Sequence, residues 1–212
     1  MDSLPVRREP CALPRRRLGA LVALALSLAV PRAQAGEAGS WSVVSGEVRV
    51  VCPMTVGGIF QAQTGAIRGK VTLGPSAEAF GGDVSVDLAT LDTGIGLRNE
   101  HLRNKYLEVG RGPAYNRAVL SDIRLGDGDP RSVQGKTHFT GTFLLHGTKG
   151  KVAGPATVRQ EGKTVRVEAS FPVTVSAFGI EKPQYLGVGV KDQVTVNVSL
   201  VAEPSDGPET KQ

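Results

Sequence analysis

Few residues in this sequence of 212 residues could do chemistry, and the histidines are the first of them. His138 and His146 lie eight positions apart in a strand-like stretch, so unbroken alternation places both on its outward face. At the rise of a strand they would stand roughly 26 Å apart, which is too far to share a metal ion. His101 lies beside Glu100 in a short helical pattern, and the sequence identifies no nucleophile to pair with it. We therefore predict capping or packing for His101 rather than catalysis.

The aspartates around the turn GDGDP, Gly126–Pro130, form a second group that could do chemistry. Asp122, Asp127 and Asp129 are close in sequence, but they lack the spacing and the bidentate glutamate of a calcium loop, so we predict a solvated turn. The sequence also lacks a Gly-x-Ser-x-Gly motif, a glycine-rich phosphate loop before a helix, and cysteines or histidines at metal-ligand spacing. These patterns predict that the protein is not an enzyme and that it holds neither a cofactor nor a metal ion.

The first 35 residues have the pattern of a cleaved signal peptide. Arg15–Arg17 is a positive region, Leu18–Val30 is an apolar run of 13 residues, and Ala33–Ala35 is a small-x-small cleavage site. A membrane anchor would need about 18 or more apolar residues. We therefore predict cleavage after Ala35, export to the periplasm or the cell exterior, and no membrane span after cleavage.

Removing this leader changes both the charge and the cysteine content. The chain has 25 Lys and Arg against 20 Asp and Glu, and the leader holds six Arg and two acidic residues, which leaves 19 basic and 18 acidic side chains. A mature protein with a formal charge of +1 has no phosphate-binding stripe, so no nucleic acid is predicted as a partner. Cys11 leaves with the leader. Cys52, beside Pro53 and with no adjacent basic residue, is predicted to be buried and inert rather than reactive.

One stretch, Thr90–Val109, breaks a strand pattern into a helical one. Before it, Val84, Val86 and Leu88 alternate with polar residues, which is the period of a strand with one buried face. Within it, a turn at Asp92–Gly94 precedes apolar residues at helical spacing. A single helical segment among strands predicts a closed or nearly closed β structure with one end covered.

The rest of the mature chain alternates with the period of strands. The clearest example runs from Val165 to Val173, and the final strand runs from Val194 to Leu200. About eight such segments joined by short turns predict an antiparallel up-and-down barrel or a β-sandwich. Small residues at inward positions leave room for an elongated ligand in a barrel; these are Gly46, Gly141 and Ala169.

Five sequence segments follow one another in an order that is typical of one protein family. They are TLDTG at 90–94, RNEHLRN at 98–104, FTGTFLLHGTKGKV at 139–152, AFGI at 177–180 and KDQVTVNVSLVA at 191–202. In this order the mature chain, from about Trp41 to Ala202, resembles the YceI-like family of exported polyisoprenoid-binding proteins. The resemblance implies one YceI-like domain at 36–202. The tail at 203–212 is polar, with two prolines and no apolar residue, so it is predicted to be flexible.

The resemblance also implies an all-β fold and a ligand. The fold is a lipocalin-like antiparallel barrel of about eight strands, with a short helical segment near one end and an apolar tunnel. The ligand is an isoprenoid or acyl-chain lipid, bound by a carrier or scavenger. The residues that match the helix and its turn are more plausibly structural than ligand-contacting: Asp92, Thr93, Gly94, Arg98, His101 and Leu102.

Residues that line the tunnel are predicted from the apolar faces of the strands. They are Val44, Phe60, Ile67, Leu88, Phe139, Phe143, Val167 and Phe171. The alternative function is a non-enzymatic β-sandwich module with a filled core, which binds a protein partner through an exposed strand edge. The sequence leaves a homodimer open.

Overall fold

Antiparallel strands make up most of the computed structural model, which describes residues 39–73, 80–126, 135–182, 184–185 and 188–205. Their runs of alternating apolar residues bury one face and expose the other. The strands are β1 (Gly39–Pro53), β2 (Ile59–Thr64), β3 (Ile67–Leu73), β4 (Phe80–Asp87), β5 (Arg117–Leu125), β6 (Gly135–Leu145), β7 (Thr148–Glu161), β8 (Thr164–Thr174), β9 (Gln184–Tyr185), β10 (Val188–Gly189) and β11 (Gln193–Pro204).

The sheet closes on itself. Its strand order is β11-β8-β7-β6-β5-β4-β3-β1-β2, and β11 also pairs with β1. Because β2 and β3 both pair with β1 along its length, they serve as two halves of one bent strand. The result is a closed eight-stranded antiparallel barrel, which confirms the predicted barrel and excludes the β-sandwich.

The predicted alternation is confirmed in the strands that form the far wall of the barrel. Phe139 and Phe143 of β6 and Phe171 of β8 are buried, and Phe171 is opposite Val196 of β11 in the ladder. The polar residues between them face outward, as expected for a sheet with one solvated face.

The alternation fails in β1, where the pairing with β11 shifts between Val43 and Ser45. A bulge adds one residue to a strand and reverses which side chains face inward beyond it. Val48 and Cys52 are buried, whereas Val44 is 52% exposed. The prediction that Val44 lines the tunnel is therefore wrong.

A helical segment between β4 and β5 covers one end of the barrel, called the capped end here. It comprises a 3-10 turn (Leu88–Thr90), helix α1 (Gly96–His101), a π-helical turn (Leu102–Tyr106), a second 3-10 turn (Val109–Arg111) and helix α2 (Pro113–Asn116). Leu91 and Leu107 are buried against the barrel core. The predicted helical segment near one end is confirmed.

A second connection, between β8 and β11, completes the capped end. It contains a 3-10 turn at Val175–Phe178 and the two-stranded β9–β10 hairpin. Phe178 and Ile180 are buried in the same core. The sequence pattern did not identify these elements, because each has only two to four residues, too few to show a periodic pattern.

The predicted boundaries are only partly within the described residues. The leader at 1–35 and most of the turn at Gly126–Pro130 lie outside them. At the other terminus β11 extends past Ala202, and the backbone N–H of Ser205 donates to the Ser40 carbonyl at 2.7 Å. The barrel therefore includes the first residues assigned to the tail. No helix within the described ranges is both long and apolar enough to cross a membrane.

Candidate functional site

The barrel interior is an apolar site crossed by a chain of aromatic rings. Phe139 contacts Phe171 at 5.5 Å between ring centroids, Phe171 contacts Phe143 at 5.6 Å, and Phe143 contacts Phe178 at 5.7 Å. All three pairs are edge-to-face, a preferred aromatic geometry. The rings come from β6, β8 and the turn after β8, so they join three elements across the interior.

The small inward residues do not leave empty space in this conformation. A Cβ atom on Gly46 would lie 2.8 Å from Cγ2 of Ile67, and one on Gly141 would lie 2.8 Å from Cδ1 of Leu120. Neighbouring side chains therefore fill the volume that these glycines give up. The prediction of room at these positions is corrected accordingly, because a ligand must displace side chains to enter.

The structure gathers most of the predicted lining residues in one core. Those that are buried there are Ile67, Leu88, Phe139, Phe143 and Phe171. Phe60 is half-buried and packs against the same core, under the guanidinium of Arg98 at 4.7 Å. Val167 is half-buried towards the other end of the barrel, where it pairs with Val158 and Leu200.

Asp92 and Asn99 fasten the helical segment to the barrel wall. The Asn99 side chain donates to Asp92 Oδ1 at 2.7 Å and accepts from the backbone N–H of Thr93 at 2.8 Å. The backbone of Asp92 in turn pairs with Gln63 of β2. The hydrogen bond from Asn99, aided by that from Gly94, lowers the pKa of the Asp92 carboxyl. This network fits the structural role that the sequence predicted for the turn.

His146 is the ionisable residue that the sequence analysis misplaced. It lies in the β6–β7 turn with φ of 50°, and its side chain is only 9% exposed. Left-handed backbone is rare outside glycine, so the surrounding contacts must hold it. The prediction of an outward side chain is wrong because the strand ends at Leu145, and the turn directs the ring into the capped end. His101, by contrast, is exposed.

The His146 ring joins two parts of the cap. Nε2 lies 2.9 Å from Glu108 Oε2, and Nδ1 lies 3.2 Å from the carbonyl oxygen of Phe178. Both partners are acceptors, so only the doubly protonated ring donates to both at once. Tyr115 packs edge-on against the ring at 4.8 Å. The pKa of Glu108 is lowered mainly by the hydrogen bond and the charge of Arg111. The hydrogen bond and the charge of His146 lower it to a smaller extent.

The barrel wall has a seam at the capped end, between β7 and β8. β7 pairs with β8 only from Ala156 onward, so its first half pairs with β6 alone within the described structure. The ring of Phe178 covers this seam, and a Cβ on Gly150 would lie 2.8 Å from its Cζ atom. Asp192 holds the turn that carries Phe178, because its carboxylate accepts from the backbone and hydroxyl of Ser176 at 3.0 and 2.7 Å.

Cys52 is buried, as predicted, on the inward face of β1. Burial raises its pKa to about 11, and the charge of Arg98 opposes this only in part. A thiol with so high a pKa is a poor nucleophile near neutral pH. Among the residues that the structure describes, no group of three His, Cys, Asp or Glu side chains could hold a metal ion.

An open groove of about 370 Å³ lies on the outer face of the barrel, across β7, β8, β11 and β1. Its outward side chains include Glu47 and Arg49, which form an ion pair at 2.7 Å, together with Glu168 and Asn197. A groove that is open to solvent, with charged side chains along it, would leave much of a hydrocarbon chain in contact with water. The interior is therefore the better candidate for an apolar ligand.

Comparisons with known proteins support this architecture. A family model described as "YceI-like domain" matches residues 40–202. A search of curated protein sequences finds no match. Among solved structures, the chain is similar to BcnA of Burkholderia cenocepacia, with a TM-score of 0.60 and 21% identity over 74% of this chain and 95% of that one.

Two further structures share the fold. A polyisoprenoid binding domain from Saccharophagus degradans, implicated in plant cell wall breakdown, has a TM-score of 0.59 and 15% identity over 78% of this chain and 98% of that one. A YceI protein of Campylobacter jejuni has a TM-score of 0.50 and 17% identity over 66% of this chain and 82% of that one. At these identities the similarity is one of fold, and it agrees with the predicted lipocalin-like barrel.

Proposed function

Because the chain belongs to the family of YceI-like domains, we propose that it binds a lipid with a long isoprenoid or acyl chain inside the barrel. The observation that carries the proposal is the closed barrel whose inward face is apolar on strand after strand, with polar residues kept outside. The solved polyisoprenoid binding domain with the same fold supports this choice of ligand.

The driving force for binding would be burial of hydrocarbon. Each methylene group that leaves water contributes about 0.8 kcal/mol, so a long chain binds tightly with little polar recognition. The chain must replace contacts that the interior side chains now make with one another, starting with the Phe143 and Phe171 rings. Selection among lipids then depends on the length and width to which the interior opens.

The proposed contacts are the inward residues of the core. They are Phe60, Ile67, Leu88, Phe139, Phe143 and Phe171, with Val167 towards the end opposite the cap. Val44 is excluded from this set because its side chain is exposed.

Export is the second part of the proposal. The leader pattern at 1–35 supports delivery of the mature barrel to the periplasm or the cell exterior, where it would carry or scavenge lipid. Amino-terminal sequencing of the protein recovered outside the cytoplasm would then begin at Gly36. Recovery of the uncleaved chain in the cytoplasm would contradict export.

The lipid is tested by organic extraction of the mature protein, purified without detergent from its native host, followed by mass spectrometry. A prenyl or acyl species at one molecule per barrel is expected. A folded protein whose extract is empty, and which takes up no added polyprenyl lipid, would overturn the proposal.

Two alanines provide a matched test of the binding position. Ala169 faces the core from β8, whereas Ala153 is exposed on β7. Ala169→Leu adds volume to the interior and should lower lipid uptake, while Ala153→Leu adds the same volume outside and should not. Circular dichroism would establish that both variants are folded. Equal uptake by both would place the lipid elsewhere.

The second candidate is a protein-interaction module with a filled core. Because the sheet is closed, this module would be a barrel and not a β-sandwich. The filled volumes beside Gly46 and Gly141 favour it. An empty extract together with a protein complex recovered by crosslinking would support this candidate over lipid binding.

A further inference from the structure

The barrel wall is interrupted at the seam between β7 and β8. Both strands continue along it, because β7 stays paired with β6 as far as Thr148 and β8 stays paired with β11 as far as Thr174. Their pairing with each other nevertheless ends at Ala156 and Ala169. Residues 148–155 and 170–174, all of which the structure describes, therefore have no strand pairing across the seam.

The sequence explains why this pairing stops. If the register of the two strands continued, Pro155 would lie opposite Ser170, and Pro172 would lie opposite Ala153. Proline has no N–H to donate, so it is poorly suited to a strand that pairs on both sides. Two prolines, one on each strand, thus disfavour a ladder of backbone hydrogen bonds across the seam.

The turn Val175–Phe178, which we call the lid, closes the seam with one side chain. The Phe178 ring lies against Gly150 of β7 and packs edge-on against Phe143 in the interior, at 5.7 Å between ring centroids. The ring is therefore both the cover of the seam and the last member of the aromatic chain. Displacing it would open the seam directly onto the proposed lipid site.

Two side chains hold the lid in place. The Asp192 carboxylate accepts from the backbone and hydroxyl of Ser176, and Nδ1 of His146 lies 3.2 Å from the Phe178 carbonyl oxygen. His146 also contacts Glu108 at 2.9 Å, and both residues have left-handed backbone, with φ of 50° and 49°. Such conformations persist only where the surroundings hold them, and they cluster at ligand clamps and switches.

A second gap in the pairing of the wall, beside β2, is closed more firmly. There the helical segment covers the edge of β2 that does not pair with β1, and the backbones of Gln63 and Asp92 exchange two hydrogen bonds, at 2.8 and 2.9 Å. Opening the wall at that place would break backbone hydrogen bonds, which are costly to leave unmade. Opening the seam requires only the loss of side-chain contacts.

A lipid can reach the interior only through an end of the barrel or through its wall. A wall is crossed most easily where no backbone hydrogen bonds between strands must be broken. We propose that the lipid enters and leaves through the β7–β8 seam, with the lid as the gate and the His146 side chain as its latch. The inference rests on the proposed function and adds the route of the ligand to it.

Uptake and release kinetics test this route. The purified protein is mixed rapidly with cis-parinaric acid, an acyl chain whose fluorescence rises in an apolar site, and the loaded protein is then chased with excess oleic acid. His146→Ala removes the latch, and Ser176→Ala loosens the other attachment of the lid. His138→Ala, on an exposed residue of β6, is the matched control. Hydrogen exchange at residues 175–180 reports whether each variant frees the lid.

Both lid variants should raise the rates of uptake and release together. An increase of about tenfold is expected for His146→Ala, because the loss of one hydrogen bond shifts the opening equilibrium by about that factor. The Kd for parinaric acid should stay within about twofold of wild type, since the latch is made both before and after binding. Exchange at residues 175–180 should rise in both variants, and His138→Ala should match wild type in every measurement.

Three results would overturn the gate while leaving lipid binding intact. Faster exchange at residues 175–180 with unchanged uptake and release would move the route elsewhere, such as to the opposite end of the barrel. Faster release with unchanged uptake would make the lid a contact of the bound lipid. Unchanged exchange in both variants would show that these side chains do not hold the lid.

Two further controls separate the remaining outcomes. If His146→Ala does not fold, Ser176→Ala decides, because it removes only the hydroxyl of an exposed side chain. A folded wild-type protein that binds neither parinaric acid nor polyprenyl lipid would contradict the proposed function, and the route would fall with it.

Discussion

At the scale of single residues, His146 connects two parts of the cap, although it lies in a turn. It holds the Phe178 carbonyl on one side and Glu108 on the other. His146→Ala removes both hydrogen bonds, one of them to a charged group, and should lower the free energy of unfolding by about 1–3 kcal/mol. Hydrogen exchange should rise most at the backbone N–H groups of the 175–180 turn, since the ring no longer fixes it.

The same substitution at another histidine provides the control. His138 is exposed on β6, so His138→Ala should leave both the free energy of unfolding and the exchange pattern close to wild type. Equal effects at the two positions, or a loss at His146 spread evenly over the barrel, would contradict a local role in the cap.

Cys52 leads to a prediction about reactivity. Its pKa of about 11, against an ordinary value of 9.0, lowers the thiolate fraction near pH 8 about a hundredfold. Burial on β1 also blocks the approach of a reagent. A disulfide reagent such as Ellman's should therefore react slowly with the native protein and at once in urea. Rapid reaction of the native protein, absent in Cys52→Ser, would show that the interior opens at this position.

At the scale of elements, the helical segment depends on one amide side chain. Asn99 accepts from the backbone and hydroxyl of Thr93 and donates to Asp92. Asn99→Ala should cost about 1–3 kcal/mol, because several hydrogen bonds are lost, and α1 should exchange faster than the strands. Asn104 is exposed one turn later, so Asn104→Ala is the matched control. An α1 that stays protected in Asn99→Ala would disprove this dependence.

The success of the sequence predictions also varied by element. The strands β6, β8 and β11 alternate without interruption, so their inward faces could be read from the sequence. β1 could not be read in this way, because Val43 and Val44 are both apolar and nothing in the pattern marks the bulge at Val44. The space beside Gly141 was equally hidden, since Leu120 of a neighbouring strand fills it. Local periodicity gives the face of a regular strand, but bulges and packing depend on its partners.

At the scale of the whole molecule, the choice between barrel and sandwich depended on one long-range pairing. β1 is the first strand of the domain and β11 is the last, and their pairing closes the barrel. Alternation alone is the same in either fold, so before the structure the barrel was favoured by the single helical segment among the strands and by the family resemblance. The cap was harder to predict because His146, Glu108 and Phe178 are distant in sequence and meet only after closure.

The capped end also makes the stability of the whole barrel depend on acid. The pKa values of Asp92, Glu108 and Asp192 are all lowered, mainly by hydrogen bonds from Asn99, Arg111 and Ser176 respectively. A carboxyl whose folded pKa is lowered stabilises the fold fully above its unfolded pKa, near 4, and loses that contribution as pH falls through the folded value. The thermal midpoint should therefore be nearly constant above about pH 5 and fall below about pH 4, with exchange in the cap rising first.

Amide substitutions can separate this effect from general acid denaturation. The variant Asp92→Asn/Asp192→Asn cannot be protonated at either site, so its midpoint should start lower near pH 7 and fall less steeply below pH 4. Asp83→Asn makes the same chemical change on an exposed residue of β4 and should keep the wild-type slope. If all three proteins lost stability in parallel, carboxylates elsewhere would control the transition. A shallower slope in the double variant alone would show that protonation of Asp92 and Asp192 contributes to the loss of stability in acid.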